Sequence, residues 1–364
     1  MESSNYSFRS VSQDEYSQII ANCDDITFYN LKERMTFLAS RKRKMELFVI
    51  EKENKPVGAG SWQKIPARSG TFIYFQHSPV CIDERIKKDP ELWKELYKYA
   101  EGVGRKENVV YVRMTPRVVE TPEIIEIVES AGFQKAPVQE VDASVTRIID
   151  VQAFTLKSMT KSIHEELETA AKLDLSVDIK SDAAALQSFM MLYKKVIAKS
   201  DTFNLPLDYM KDELDTYLEA GKLIITLVHD TQGNVYSGSA TVLGEKTAWY
   251  YWTVTTEKGE TSGSHALMIH ALVTYLKDEG YEMFDLWGEA VPKEVSEKRI
   301  SHPWLKIDQF KSGFGSKLVE YVLPIDVPVN QAIYRASCLY QRFNMSRRGY
   351  PFLTFEHDQK IRKV

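Results

Sequence analysis

Leu223-Ile224-Ile225-Thr226-Leu227-Val228-His229-Asp230-Thr231-Gln232-Gly233-Asn234-Val235-Tyr236-Ser237-Gly238-Ser239 reads as a β-hairpin: an apolar strand, a polar turn, then a strand rich in small residues. The same order stands upstream in Leu47-Phe48-Val49-Ile50-Glu51-Lys52-Glu53-Asn54-Lys55-Pro56-Val57-Gly58-Ala59-Gly60, with Glu53-Asn54 as the turn. An aromatic strand follows each hairpin, Thr71-Phe72-Ile73-Tyr74-Phe75 in one half and Ala248-Trp249-Tyr250-Tyr251-Trp252 in the other. Helices come next. The spacing of Leu92, Leu96 and Tyr99 predicts one from about Pro90 to Gly102, and that of Ile269, Leu272, Val273 and Leu276 predicts another from about Gly263 to Glu279. Val109–Met114 and Met283–Leu286 close the two series as strands. One α+β unit is thus written twice, so two tandem α+β domains packed together are expected. The expected limits are 1–145, with 325–364 returning to that first domain, and 146–324 for the second. Thr146-Arg147-Ile148-Ile149-Asp150 opens the second copy without a Gly/Ser-rich linker.

Bulk properties agree with two cores. The chain has 364 residues, 43% hydrophobic and 27% charged. No apolar run has membrane-spanning length, and Met1–Tyr6 lacks the character of a signal peptide. Cys23, Cys81 and Cys338 are far apart and have no metal-ligand spacing, which points to a reduced, cytoplasmic protein without a zinc site. A net charge of −4 argues against non-specific coating of nucleic acid. Basic charge is nevertheless concentrated in Arg41-Lys42-Arg43-Lys44 and from Arg335 to the end of the chain.

The chemistry is carried by His302-Pro303-Trp304-Leu305-Lys306-Ile307-Asp308-Gln309-Phe310-Lys311-Ser312-Gly313-Phe314-Gly315. A lysine among apolar neighbours is costly unless something offsets its charge. Lys311 is therefore either a cation held for an anionic group or a surface lysine between two core phenylalanines. No Ser/His/Asp or Cys/His nucleophile arrangement is readable.

Hairpin, strand, helix and strand is the order of the GNAT-type acyltransferase fold. In such enzymes the donor's phosphates meet backbone N–H groups at a helix N-terminus. The matching loop, Thr256–Ser264, lacks the Gln/Arg-x-x-Gly-x-Gly/Ala spacing that cradles coenzyme A, and Cys81-Ile82-Asp83-Glu84-Arg85 has no glycine. Coenzyme A is therefore disfavoured as donor, and no cofactor is expected.

A duplicated unit of this kind ending in Phe310-Lys311-Ser312-Gly313-Phe314-Gly315 resembles the Fem (FemABX) family of peptidoglycan aminoacyltransferases. His302-Pro303-Trp304, Val319-Glu320-Tyr321-Val322, Asp285-Leu286-Trp287-Gly288 and Thr146–Asp150 extend the likeness. Ser78-Pro79-Val80 and Thr115-Pro116 add weaker marks. The coiled-coil insertion of some members is absent. The resemblance implies transfer of an amino acid from aminoacyl-tRNA, as co-substrate, to an amine of a lipid- or UDP-linked wall precursor. The protein would not insert in a membrane, with room for peripheral association. By the same resemblance Lys311 stabilises the oxyanion and Phe310 shapes the adjacent site. Tyr209, Trp252, Asp285 and Tyr74 complete the substrate-binding set. On strand alternation Trp252 should share a face with Tyr250.

Departures from the family pattern are specific. Phe37 or a neighbour stands for an early lysine, Leu205 for an arginine, and Thr115 for an acidic residue. The usually basic helix reads Ile163-His164-Glu165-Glu166-Leu167-Glu168. Loss of cations weakens a phosphate-binding surface, so a different acceptor is one implication. An N-acyltransferase using another donor and a non-catalytic precursor-binding relative are the alternatives.

Overall fold

The computed structural model describes residues 5–23, 25–67, 70–137, 143–198, 206–288, 290 and 304–348. The chain divides into two compact units, Met1–Ser144 with Glu320–Val364, and Val145–Val319.

Unit 1 begins with β1 (Tyr6–Ser10), two short helices (Gln13–Ile20 and Lys32–Ser40) and the hairpin β2 (Met45–Lys52) and β3 (Lys55–Ala67). Glu53 and Asn54 both take positive φ, 51° and 62°, which lets a two-residue turn follow the strands' twist. β4 (Gly70–Gln76) lies antiparallel to β3, and β5 (Val80–Cys81) pairs β3 further along. The helix Pro90–Lys106 starts with Asp89 capping the Glu91 amide. It crosses the sheet to β6 (Tyr111–Thr115), which runs parallel to β4 with Ile73 opposite Val112. The helix is longer than the sequence pattern suggests because Gly104 serves packing and does not end it. A Cβ there would lie 2.5 Å from Val329 and 3.0 Å from Val112. After the helix Pro122–Ser130 comes β7 (Gln134–Lys135).

Unit 2 repeats the plan on a second sheet. β8 (Val145–Asp150) is followed by the helix Lys161–Lys172, β9 (Ser176–Lys180) and the helices Ala183–Ile197 and Leu207–Glu219. β10 (Leu223–His229) and β11 (Val235–Leu243) form the hairpin, turned at Gly233 (φ 79°), and β12 (Thr247–Thr255) adds antiparallel to β11. The helix Ser264–Asp278 leads to β13 (Met283–Asp285), parallel to β12. The helix Leu305–Ser312 and β14 (Lys317–Glu320) complete the sheet, whose order is β14-β8-β13-β12-β11-β10-β9. Its core packs Ile269, Leu272 and Val273 of the crossing helix on Ile224, Val228 and Phe284.

The chain then returns to unit 1 as β15 (Ile325–Pro328), giving the order β1-β2-β3-β4-β6-β15-β7. Arg113 on β6 donates twice to Asp326 on β15, at 2.8 and 2.7 Å, and both are buried. The helix Gln331–Arg348 follows. Among the described residues no helix is long and apolar enough to cross a membrane.

Candidate active site

The parallel contact between β12 and β13 stops at Trp249 and Asp285, while β12 continues to Thr255. Among the described strands, Tyr250–Thr255 has a partner only on the β11 side, so the sheet opens there. Lys311 stands at this opening, in the last turn of the helix Leu305–Ser312, where a cation is favoured by the helix dipole. Its side chain is 4% exposed, and its Nζ donates to Trp287 O at 2.8 Å and Gly288 O at 2.6 Å. These bonds offset the burial of the charge and fix the ammonium in place.

Four polar residues set that arrangement. Asp285 accepts from the Trp287 amide at 2.8 Å and from the Thr146 hydroxyl, bracing a turn in which Trp287 has φ 55°. Asp285 is therefore a loop cap that aims the Trp287 carbonyl at Lys311. Arg147, next to Thr146 on β8, donates to Asp308 at 2.6 and 2.9 Å. Asp308 lies one turn before Lys311, so this bidentate pair ties the lysine's helix to the sheet. Gly315 ends the motif at φ 70°, where a Cβ would come 2.7 Å from Ser158 O.

Phe310 packs against His265, ring centroids 4.7 Å apart, and His265 Nε2 lies 3.1 Å from the Tyr250 hydroxyl. Tyr250 also reaches the Thr253 hydroxyl at 3.0 Å. Burial, with the Lys311 charge adding to it, pushes the His265 imidazole down to about 4, so it is neutral at pH 7. His265 is absent from the sequence-predicted set. The first-turn position after Ser264 is its only mark, and many helical histidines share it.

Trp252 and Tyr250 do not share a face. A bulge in β12 sets Tyr250 against Thr241 and Trp252 against Ala240, adjacent residues of β11. The extra residue, Tyr251, reverses the alternation beyond it. Tyr250 turns to His265, whereas Trp252 meets Tyr193 edge-on at 5.9 Å and Tyr251 reaches Glu213 at 3.1 Å. Tyr209 is buried at 5% exposure near the start of the helix Leu207–Glu219. Lys311, Phe310 and Asp285 thus form one cluster, and Trp252 belongs to the opposite face. Leu205, His302 and Pro303 and the basic residues Lys360, Arg362 and Lys363 lie outside the described residues.

The loop before the helix Ser264–Asp278 has its polar groups engaged internally. The amides of Gly259 and Ser264 bond to the hydroxyls of Thr256 and Ser262, and those of Glu260 and Ser262 to carbonyls. Gly263 (φ 71°) sits under the helix Lys161–Lys172, and a Cβ there would lie 2.0 Å from Glu166 O. Among the described residues no group of His, Cys, Asp and Glu is arranged to hold a metal ion.

Tyr74 belongs to unit 1, where its hydroxyl lies 3.0 Å from Thr115 Oγ1, which also accepts from the His77 amide at 3.2 Å. It lines a small cavity of about 10 Å³, room for about one water, together with Arg34, Gln63 and Gln76. Arg34 is 4% exposed, lies over the rings of Tyr29 (5.0 Å) and Phe37 (5.4 Å), and reaches Gln76 Oε1 at 3.5 Å. Phe37 itself is in the core. In the run Arg41–Lys44, Lys44 pairs with Glu107, which Lys64 also meets at 3.3 Å.

Residues 157–293 match the family model described as Acetyltransferase (GNAT) domain. No curated protein matches the sequence. Among solved structures, FemX is similar with TM-score 0.74 at 13% identity, covering 91% of this chain and 100% of that one. L-PGS from Bacillus licheniformis matches with TM-score 0.57 at 10% identity, covering 91% and 97% of the two chains. A tandem GNAT protein from the clavulanic acid biosynthesis pathway matches with TM-score 0.56 at 11% identity, covering 89% and 98%. With a hairpin, a third antiparallel strand and a helical crossover to a parallel strand in each sheet, the chain is an α+β protein of two tandem GNAT-type domains.

Proposed function

We propose that unit 2 catalyses acyl transfer to an amine, with Lys311 supplying positive charge to the oxyanion of the tetrahedral intermediate. The observation that carries this reading is the ammonium buried and fixed at the place where β12 and β13 part. A charge already held in position costs no reorganisation when the carbonyl oxygen becomes negative. Phe310 walls the site beside His265. The imidazole of His265, held near 4 by burial and by the Lys311 charge, stays neutral beside the ammonium, and the proton given up by the attacking amine goes to the leaving oxygen. A C–N bond forms, the C–O ester bond breaks, and the leaving oxygen gains a proton.

The donor we favour is an amino acid esterified to transfer RNA, and the acceptor an amine on the stem peptide of a wall precursor. The Phe310–Gly315 motif and its Fem-like context support both. The Thr256–Ser264 loop lacks the Gln/Arg-x-x-Gly-x-Gly/Ala spacing, which speaks against coenzyme A as the donor's carrier. The test is to incubate the protein with charged, labelled transfer RNA and wall precursors. RNase-sensitive transfer of label supports the reading, and transfer only from acyl-coenzyme A contradicts it. The acyl-coenzyme A alternative is favoured by one observation, the match of residues 157–293 to the GNAT acetyltransferase model.

A further inference from the structure

The helix Gln331–Arg348 packs on the sheet through Tyr334, which joins an apolar cluster with Tyr111 and Phe72, and carries large apolar side chains on its outer side as well. Its inner side is held by polar groups: Tyr334 donates to Asp326 at 2.9 Å, Arg113 to Gln341 at 3.3 Å, and Gln341 to Ser337 at 2.8 Å. All five residues are buried. Its outer side carries Leu339 and Phe343, exposed at 69% and 65%. These two are one turn apart, with Ala332, Arg335, Ala336 and Arg342 also exposed on the helix. Single exposed apolar residues need no explanation, but two large ones side by side on the face away from the sheet do. The ion pair Arg113–Asp326 and its neighbours lock the helix so that these two cannot turn inward.

Charge decides which partner fits. The protein is net negative, yet no acidic residue stands between Asp326 and Glu356, while Arg335, Arg342, Arg347 and Arg348 do. A second copy docked by the same face about a two-fold axis would bring arginines against arginines. A bilayer surface with anionic headgroups accepts the apolar side chains and the arginines together.

We infer that the outer face of this helix docks the protein on an anionic lipid surface, Leu339 and Phe343 entering the headgroup boundary and Arg335 and Arg342 meeting lipid phosphates. The inference is independent of the reaction assigned to unit 2, since it rests on unit 1 alone. It places the protein on a membrane surface through this helix.

The test is co-flotation of the full chain with vesicles of phosphatidylglycerol and phosphatidylcholine, against vesicles of phosphatidylcholine alone. Flotation with the anionic vesicles only, weakened by salt, is expected. Leu339→Asp with Phe343→Asp should lower the bound fraction about tenfold or more, and Arg335→Glu with Arg342→Glu should do likewise. Circular dichroism and an unchanged melting curve confirm that both variants are folded, as substitution of exposed residues allows. Failure of the wild type to float overturns the inference, as does flotation indifferent to both variants. A wild-type dimer in light scattering that the Asp pair dissociates, without lipid binding, assigns the face to a second copy instead.

Discussion

Lys311 serves two ends with one ammonium, and the two can be separated. Removing it deprives Trp287 O and Gly288 O of their donor, and a buried acceptor left unpaired costs about 1–3 kcal/mol. Lys311→Ala should therefore lower both the melting temperature and activity. Lys311→Gln retains an N–H donor and loses the charge. It should melt close to the wild type while the rate falls about a hundredfold or more. Thermal denaturation beside single-turnover transfer checks both.

At the scale of elements, the site depends on how β8 holds its neighbours. Thr146 and Arg147 are consecutive on that strand, one bonded to Asp285 and the other to Asp308. Asp308→Ala leaves a largely buried guanidinium uncompensated, at about 3–5 kcal/mol. It should also depress activity well below the new melting point, because the helix carrying Lys311 loses its tether. Assaying at two temperatures separates the effects. Hairpins, aromatic strands and crossing helices were legible because their apolar periodicity and turn residues are local signals. The bulge at Tyr251 was not: nothing in Trp249-Tyr250-Tyr251-Trp252 marks which residue is extra, and one residue reverses the face of Trp252. Arg34 escaped for a similar reason, since a buried cation over Tyr29 and Phe37 looks in sequence like any helical arginine. Lys311 was readable because glycines and phenylalanines surround it, but its carbonyl partners lie over twenty residues away and come from tertiary structure.

Across the whole molecule, one plan is used twice and the copies have diverged. Unit 1 receives its β15 and the helix Gln331–Arg348 from beyond unit 2, whereas unit 2 carries the fixed lysine. The neutral imidazole of unit 2 gives global stability a signature in pH. His265 titrates near 6.5 when unfolded and near 4 when folded, so the unfolded chain binds more protons between those values. Its contribution is full above about pH 6.5 and is lost as pH falls through about 4, with a slope of up to ~1.4 kcal/mol per pH unit. Denaturant unfolding of His265→Gln across that window should show a shallower acid-side decline than the wild type.

If the fixed charge of Lys311 drives acyl transfer from an RNA-borne ester, single-turnover transfer of labelled amino acid from charged transfer RNA to a wall precursor should separate the wild type from Lys311→Gln. The wild type should give RNase-sensitive product, and the folded variant a rate lower by about a hundredfold. Equal rates in the two proteins, or label moved only from acyl-coenzyme A, would contradict this.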